Sequence, residues 1–138
     1  MKILVTGSNG FIGNHLMKKL VKGGFLVEGI SRSKSATDYK THCVDIRDFL
    51  PLKKIFRNGD FNVAIHLAGE TSELDIITMF MSNVLGTLHF LECCRIYNVK
   101  KIIFVSGHNV YAPTSRLPIS ENSKLESSTS YGTTKILA

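Results

Sequence analysis

The chain has 138 residues, enough for one domain with a real core, taken as residues 1–138, and too few for a ligand domain plus a separate substrate domain. A hydrophobic fraction of 43% excludes a disordered chain, and apolar runs of strand length argue against a membrane span. The net charge of +6 would suit nucleic acid, but Lys18-Lys19, Lys53-Lys54 and Lys100-Lys101 are scattered pairs without interleaved aromatics, which reads as solvated surface or attraction for an anionic ligand.

Met1-Lys2 leads into a short apolar run, Ile3-Leu4-Val5, too brief for a secretory signal and right for a buried parallel strand over Lys2–Thr6. Thr6-Gly7-Ser8-Asn9-Gly10-Phe11-Ile12-Gly13 follows at once, with glycines spaced G-x-x-G-x-x-G between a strand and a helix. Gly7 is expected to turn the chain out of the strand, Gly10 to let the backbone approach a pyrophosphate, and Gly13 to let the helix pack closely on the sheet. The first helical N–H groups would face the phosphate charge. The helix runs to about Val21, with Ile12, Leu16 and Leu20 as the stripe toward the sheet, and Gly23-Gly24 ends it.

Strand-like and helical runs then alternate: a strand at Leu26–Ser31, a shorter one at Thr41–Val44, a helix near Phe49–Arg57, a strand at Val63–Leu67, a long helix near Ile76–Asn98 and a strand at Lys101–Ser106. This β-α-β order predicts an α/β fold, a Rossmann-type doubly wound parallel sheet, stopping after about five strands. In such a sheet the strand ends carrying Gly7, Ser31, Asp45, Ala68 and Ser106 emerge at one edge, where ligands bind. Residues 107–129, rich in Ser, Asn and Pro, read as an active-site loop or as plain surface loop. No repeat and no low-complexity linker occurs. Cys43, Cys93 and Cys94 are odd in number and lack zinc spacing, so no metal site is expected, and a reducing, cytoplasmic setting is. Cys93 and Cys94 read as small core residues.

Ser130-Tyr131-Gly132-Thr133-Thr134-Lys135 opens a last helix, on which Tyr131 and Lys135 are four apart and share one face. A neighbouring ammonium and a cationic nicotinamide ring would both favour the phenolate, so Tyr131 reads as a proton shuttle with Lys135 as its partner, or the two read as ordinary helix neighbours.

Taken in order, Thr6-Gly7-x-x-Gly10-Phe11-Ile12-Gly13, Asp45-Ile46-Arg47-Asp48, His66-Leu67-Ala68-Gly69, Asn83-Val84-x-Gly86-Thr87, Val110-Tyr111 and Tyr131-Gly132-x-x-Lys135 resemble the N-terminal part of the extended short-chain dehydrogenase/reductases, the NAD-dependent epimerase/dehydratase family typified by UDP-glucose 4-epimerase. The resemblance spans essentially the whole chain. It implies a dinucleotide cofactor contacted by Gly7, Asn9, Gly10, Phe11, Ile12, Gly13, Ser31, Arg32, Asp45, Ile46, Leu67, Ala68, Gly69, Asn83 and Lys135, with Asp45-Ile46 at the adenine and Leu67-Ala68-Gly69 beside the cofactor. It implies catalysis by Tyr131 as acid/base with Lys135, and a nucleotide-sugar substrate. Asn83 reads equally as a helix residue that satisfies buried backbone groups. His66 reads as a packed strand residue.

Three departures qualify the resemblance. Ser31-Arg32-Ser33-Lys34 stands where NAD-specific relatives place an acid after the second strand, so NADP(H) is favoured over NAD(H). Gly107 stands where the substrate-bonding hydroxyl is expected, leaving Ser106 one residue away as its substitute. The chain stops inside the Tyr131 helix, so the C-terminal substrate region is absent, whether by shortening, as a fragment or as a natural short form. The leading expectation is an NAD(P)-dependent nucleotide-sugar epimerase or reductase. A non-catalytic dinucleotide-binding or sensing module, or an inactive fragment, stays open, as does a homodimer.

Overall fold

The computed structural model describes residues 1–34, 38–72, 75–113 and 117–138. Five parallel strands form one sheet in the order β3-β2-β1-β4-β5: β1 Lys2–Thr6, β2 Leu26–Ser31, β3 Lys40–Cys43, β4 Val63–His66 and β5 Lys101–Phe104. The strand order reverses at β1, between β2 and β4. Helix α1 (Phe11–Lys22) joins β1 to β2, α2 (Phe49–Gly59) joins β3 to β4, and α3 (Ile76–Phe80), a π-helical turn (Met81–Leu85) and α4 (Gly86–Ile96) join β4 to β5.

Alternation along β1 divides the core between the two faces. Ile3 and Val5 join Met17 of α1, Val27, Val63 and Ile65 in one cluster. Leu4 joins Ile30, Ala64, Leu52, Phe56 and Phe90 in the other, under α2 and α4. This is the doubly wound arrangement expected from the alternating runs.

The inner stripe of α1 is rotated from the expected one. Gly13 and Met17 are buried, Leu16 and Leu20 pack beside them, and Ile12 is 59% exposed. The cause is backbone contact: an added Cβ at Gly13 would lie 2.1 Å from the Gly7 carbonyl oxygen, so the glycine itself is the face that meets the strand. Close approach to the β1 turn outranks the apolar period of the helix.

The long helix of the third crossover holds together as Ile76–Ile96, ending two residues before the expected Asn98. By length and a mean hydropathy of 1.3 it is apolar enough to cross a membrane, contrary to the reading that apolar runs are strand-sized. Its inward residues Met79, Asn83, Thr87, Phe90, Cys93 and Cys94 are buried, as in the core helix of a globular fold. Residues 107–129 contain a 3-10 turn at His108–Val110 and an antiparallel bridge between Tyr111 and Leu125; residues 114–116 of that expected loop lie outside the described part. Helix α5 spans Ser130–Leu137, its N-terminus capped by the Thr129 hydroxyl accepting from Gly132 N–H.

Candidate dinucleotide site

The carboxyl ends of β1 to β4 surround a cleft of about 270 Å³ walled by Gly7, Asn9 and Gly10, by Ser31, Arg32 and Ser33, by Val44, Asp45 and Ile46, and by Leu67, Ala68, Gly69 and Ser82. Nine of the residues expected at the cofactor thus share one wall: Gly7, Asn9, Gly10, Ser31, Arg32, Asp45, Ile46, Leu67 and Ala68, with Gly69 as a tenth. Ser33, Val44 and Ser82 were not anticipated. Ser33 and Val44 adjoin expected residues, whereas Ser82 carries no signal in the sequence because the π-helical turn presents it.

Gly7 builds the floor. Its φ of +68° belongs to the left-handed region, and a Cβ there would meet Ala68 N at 2.8 Å, so the turn and the close passage of the β4 loop both require glycine. The loop then closes through Gly10 N–H donating to the Gly7 carbonyl at 3.0 Å. No side chain caps α1 and no acid lies in its first turn, so the N–H groups of Phe11, Ile12 and Gly13 keep their capacity for an anion. The side chains of Phe11 and Ile12 point outward, Phe11 being 86% exposed. Asn9 donates from Nδ2 to the Ser33 carbonyl at 2.9 Å, which ties the glycine loop to the chain beyond β2. Its Oδ1 is buried without a hydrogen-bond partner among the described residues, an acceptor that suits a hydroxyl donor in the cleft.

Asp45 is engaged within its own turn. Its carboxylate accepts from Arg47 N–H at 2.9 Å and from the Arg47 guanidinium at 2.8–3.1 Å. Burial works against the charge of Asp45, but Arg47 outweighs it and holds the carboxyl below its usual range. Arg32 reaches across the sheet to Glu70, Nη2 to Oε2 3.2 Å.

Behind the cleft runs a buried polar chain whose direction is fixed by counting protons. The Thr87 hydroxyl donates to the Asn83 carbonyl at 2.6 Å, so it must accept from His66 Nε2–H at 3.0 Å. His66 Nδ1 is then the acceptor for the Thr6 hydroxyl at 2.7 Å, and the Thr6 oxygen accepts from Leu67 N–H and Ala68 N–H at 3.2 and 3.1 Å. His66 is therefore neutral and protonated on Nε2. It is fully buried between Phe90 and Phe104, with ring centroids at 4.4 and 5.8 Å. Burial, helped by Lys135, pushes its pKa down to about 3.

Asn83 links the cleft to the last helix. Its Oδ1 accepts from Glu70 N–H at 2.7 Å, and its Nδ2 donates to the Glu70 carbonyl and to the Thr134 hydroxyl, both at 2.9 Å. Thr134 in turn donates to the Tyr131 carbonyl at 2.7 Å. This matches the reading of Asn83 as a residue that satisfies buried backbone groups.

Of the residues expected to do chemistry, Tyr131 is half-buried on α5 and Lys135, one turn on, is 7% exposed. The Lys135 ammonium lies 4.2 Å from the Phe104 ring centroid, and burial lowers its pKa. Neither lines the cleft, nor do Asn83, Gly13 or Ser106. Ser106 is exposed just beyond β5, and Gly107 is extended with φ −152°, a Cβ there meeting only Asn109 Oδ1 at 3.9 Å. Cys93 and Cys94 are buried, their thiols pushed up to about 11 and about 12 by burial, so neither is a nucleophile at neutral pH.

The profile of the NAD dependent epimerase/dehydratase family matches residues 3–138. The chain is 32% identical to a UDP-glucose 4-epimerase of Dictyostelium discoideum over 98% of its own length and 44% of that protein's. It is 32% identical to one of Caenorhabditis elegans, covering 99% of this chain and 47% of that protein. Among solved structures, a short-chain dehydrogenase/reductase superfamily protein from Agrobacterium tumefaciens with bound NAD superposes with a TM-score of 0.92 at 29% identity, over 99% of this chain and 42% of that one. A UDP-glucose 4-epimerase from Thermotoga maritima with UDP-glucose superposes at 0.91 and 28% identity, over 99% and 48%. The chain thus spans less than half the length of these relatives. With the fold, the glycine turn and the profile in agreement, the chain belongs to the NAD dependent epimerase/dehydratase family.

Proposed function

We propose that residues 1–138 form one domain that binds a nicotinamide dinucleotide for a nucleotide-sugar epimerase or reductase. The observation that carries this reading is the cleft itself: four strand ends, a glycine floor and an uncapped helix N-terminus converge on it. A dinucleotide fits these residues. The first-turn N–H groups of α1 would take the pyrophosphate, Asp45 and Ile46 would flank the adenine, and the orphaned Asn9 Oδ1 would accept from a ribose hydroxyl. Arg32 and Lys34, with no acid at the end of β2, favour NADP(H) over NAD(H).

When bound, the nicotinamide supplies hydride transfer. Tyr131 takes and returns the proton of a sugar hydroxyl. Lys135 shares its helix face, and its buried ammonium lies over the Phe104 ring one turn along from the phenol it would serve. The epimerases named above are the support for a nucleotide sugar as the second ligand. We place neither a membrane nor nucleic acid among the partners and expect a cytoplasmic protein.

Titration calorimetry with NADP⁺ and NAD⁺ tests the reading. Binding of NADP⁺ that weakens in Arg32→Ala is the expected result, and no binding of either dinucleotide would end it. Gly107 supports a second reading, a dinucleotide-binding module without turnover, since no hydroxyl stands at that position. Tight binding with no hydride exchange on UDP-glucose, unchanged by Tyr131→Phe, would favour the module.

A further inference from the structure

Glu70 lies just beyond β4 and Arg32 just beyond β2, and β1 with its glycine loop runs between those two strands. Their ion pair, 3.2 Å long, therefore bridges two strand spacings, about 10 Å of sheet, across the mouth of the cleft. The two partners differ in freedom. Arg32 has a side chain 59% exposed, whereas that of Glu70 is 19% exposed and held from several sides. Its Oε1 accepts from Thr71 N–H at 3.0 Å and Ser72 N–H at 3.1 Å, and its own peptide N–H and C=O are both bonded by the Asn83 amide. The Ser72 N–H, the Thr71 N–H and Arg32 together keep the carboxyl ionised. The other anion near Arg32, Asp45, is already paired with Arg47. Arg32 is thus an exposed cation resting on a fixed carboxylate.

From this geometry we propose that Glu70 is a specificity-determining residue: a built-in carboxylate that holds Arg32 across the cleft and that a ligand's 2′-phosphate must displace. The inference rests on the dinucleotide reading above and adds to it. A cation at the end of β2 is not by itself a selector for NADP(H), because its charge is already compensated; the selectivity is the difference between the phosphate and Glu70 as partners. NAD(H), which lacks the 2′-phosphate, leaves the pair closed.

The test compares NADP⁺ and NAD⁺ affinities by calorimetry in the full chain, Glu70→Gln, Arg32→Ala and the double variant. Glutamine keeps an oxygen for the Thr71 and Ser72 N–H groups and removes only the charge. Glu70→Gln should raise the ratio of NADP⁺ to NAD⁺ affinity by about fivefold, the weight of one partly exposed ion pair, with NAD⁺ affinity unchanged. The double variant should return to the ratio of Arg32→Ala. An unchanged ratio in Glu70→Gln, or an equal loss of both dinucleotides, overturns the proposal while leaving the dinucleotide reading standing. Failure of the unaltered chain to bind either dinucleotide overturns both.

Discussion

Gly13 and Gly107 respond to a side chain in opposite ways. At Gly13 a Cβ would sit 2.1 Å from the Gly7 oxygen, so Gly13→Ala forces α1 away from the turn. The expected cost is about 2–4 kcal/mol in urea unfolding, with dinucleotide affinity falling alongside because the helix N-terminus leaves the cleft. At Gly107 the backbone is extended and the space is open, so Gly107→Ser should leave the urea midpoint within error. If the hydroxyl is what the site lacks, the same variant should raise hydride exchange on UDP-glucose, and Ser106→Ala in that background should not reverse it. His66 yields a third result at this scale. Nitrogen-15 NMR should find it protonated on Nε2 and unchanged from pH 8 to pH 5, because both ring nitrogens are committed and its pKa lies at about 3.

The π-helical turn between α3 and α4 is the element that ties the loop beyond β4 to the last helix. It turns Asn83 inward, where one amide holds the Glu70 loop and, through Thr134, the first turn of α5. Asn83→Leu removes all three bonds and leaves buried partners unsatisfied, at an expected cost of about 3 kcal/mol. Hydrogen exchange should accelerate at residues 69–72 and 130–137 together, with α1 unaffected. Acceleration confined to one of those segments would mean that the linkage is not carried by this side chain. Helix α2 has no such role: its apolar residues Leu52, Ile55 and Phe56 only fill the core under α4.

Across the whole molecule, two buried groups make separable contributions to the response to acid. His66 is neutral in the fold down to about pH 3, while in the unfolded chain it takes up a proton near 6.5, so stability declines as pH falls below 6.5. The slope contributed is about 1.4 kcal/mol per pH unit over that window. Glu28 adds to the loss at lower pH. Burial opposes its charge, but Lys2 at 2.7 Å, His42 at 2.6 Å and Lys40 at 3.2 Å hold its pKa down to about 2, so the stability that its ionised carboxylate contributes is fully present above 4.5 and is lost toward 2. Urea titrations at successive pH values should find His66→Gln flatter than the parent between 6.5 and 4.5, and Glu28→Gln flatter only below 4.5. Parallel curves in that upper interval would contradict the buried neutral His66.

Local chemistry made much of this protein legible before folding. The left-handed turn at Gly7, the parallel strands read from uninterrupted apolar runs, and the strand-end positions of Ser31, Asp45 and Ala68 follow from short-range sterics and the two-residue strand period, which a sequence displays directly. The rotation of α1 that exposes Ile12 did not follow, because it depends on how closely Gly13 approaches a carbonyl in another element. Nor did the pairing of Arg32 with Glu70, thirty-eight residues apart, or the direction of the chain through Thr6, His66 and Thr87. Such partners meet only when β1 is laid between β2 and β4, and their charges and protons are assigned by that contact. Short-range sterics write the left-handed glycine turn and the succession of parallel strands into the chain, whereas the strand order and the polar groups already engaged come from the fold, since a hydrogen bond between distant residues exists only once the sheet brings them together.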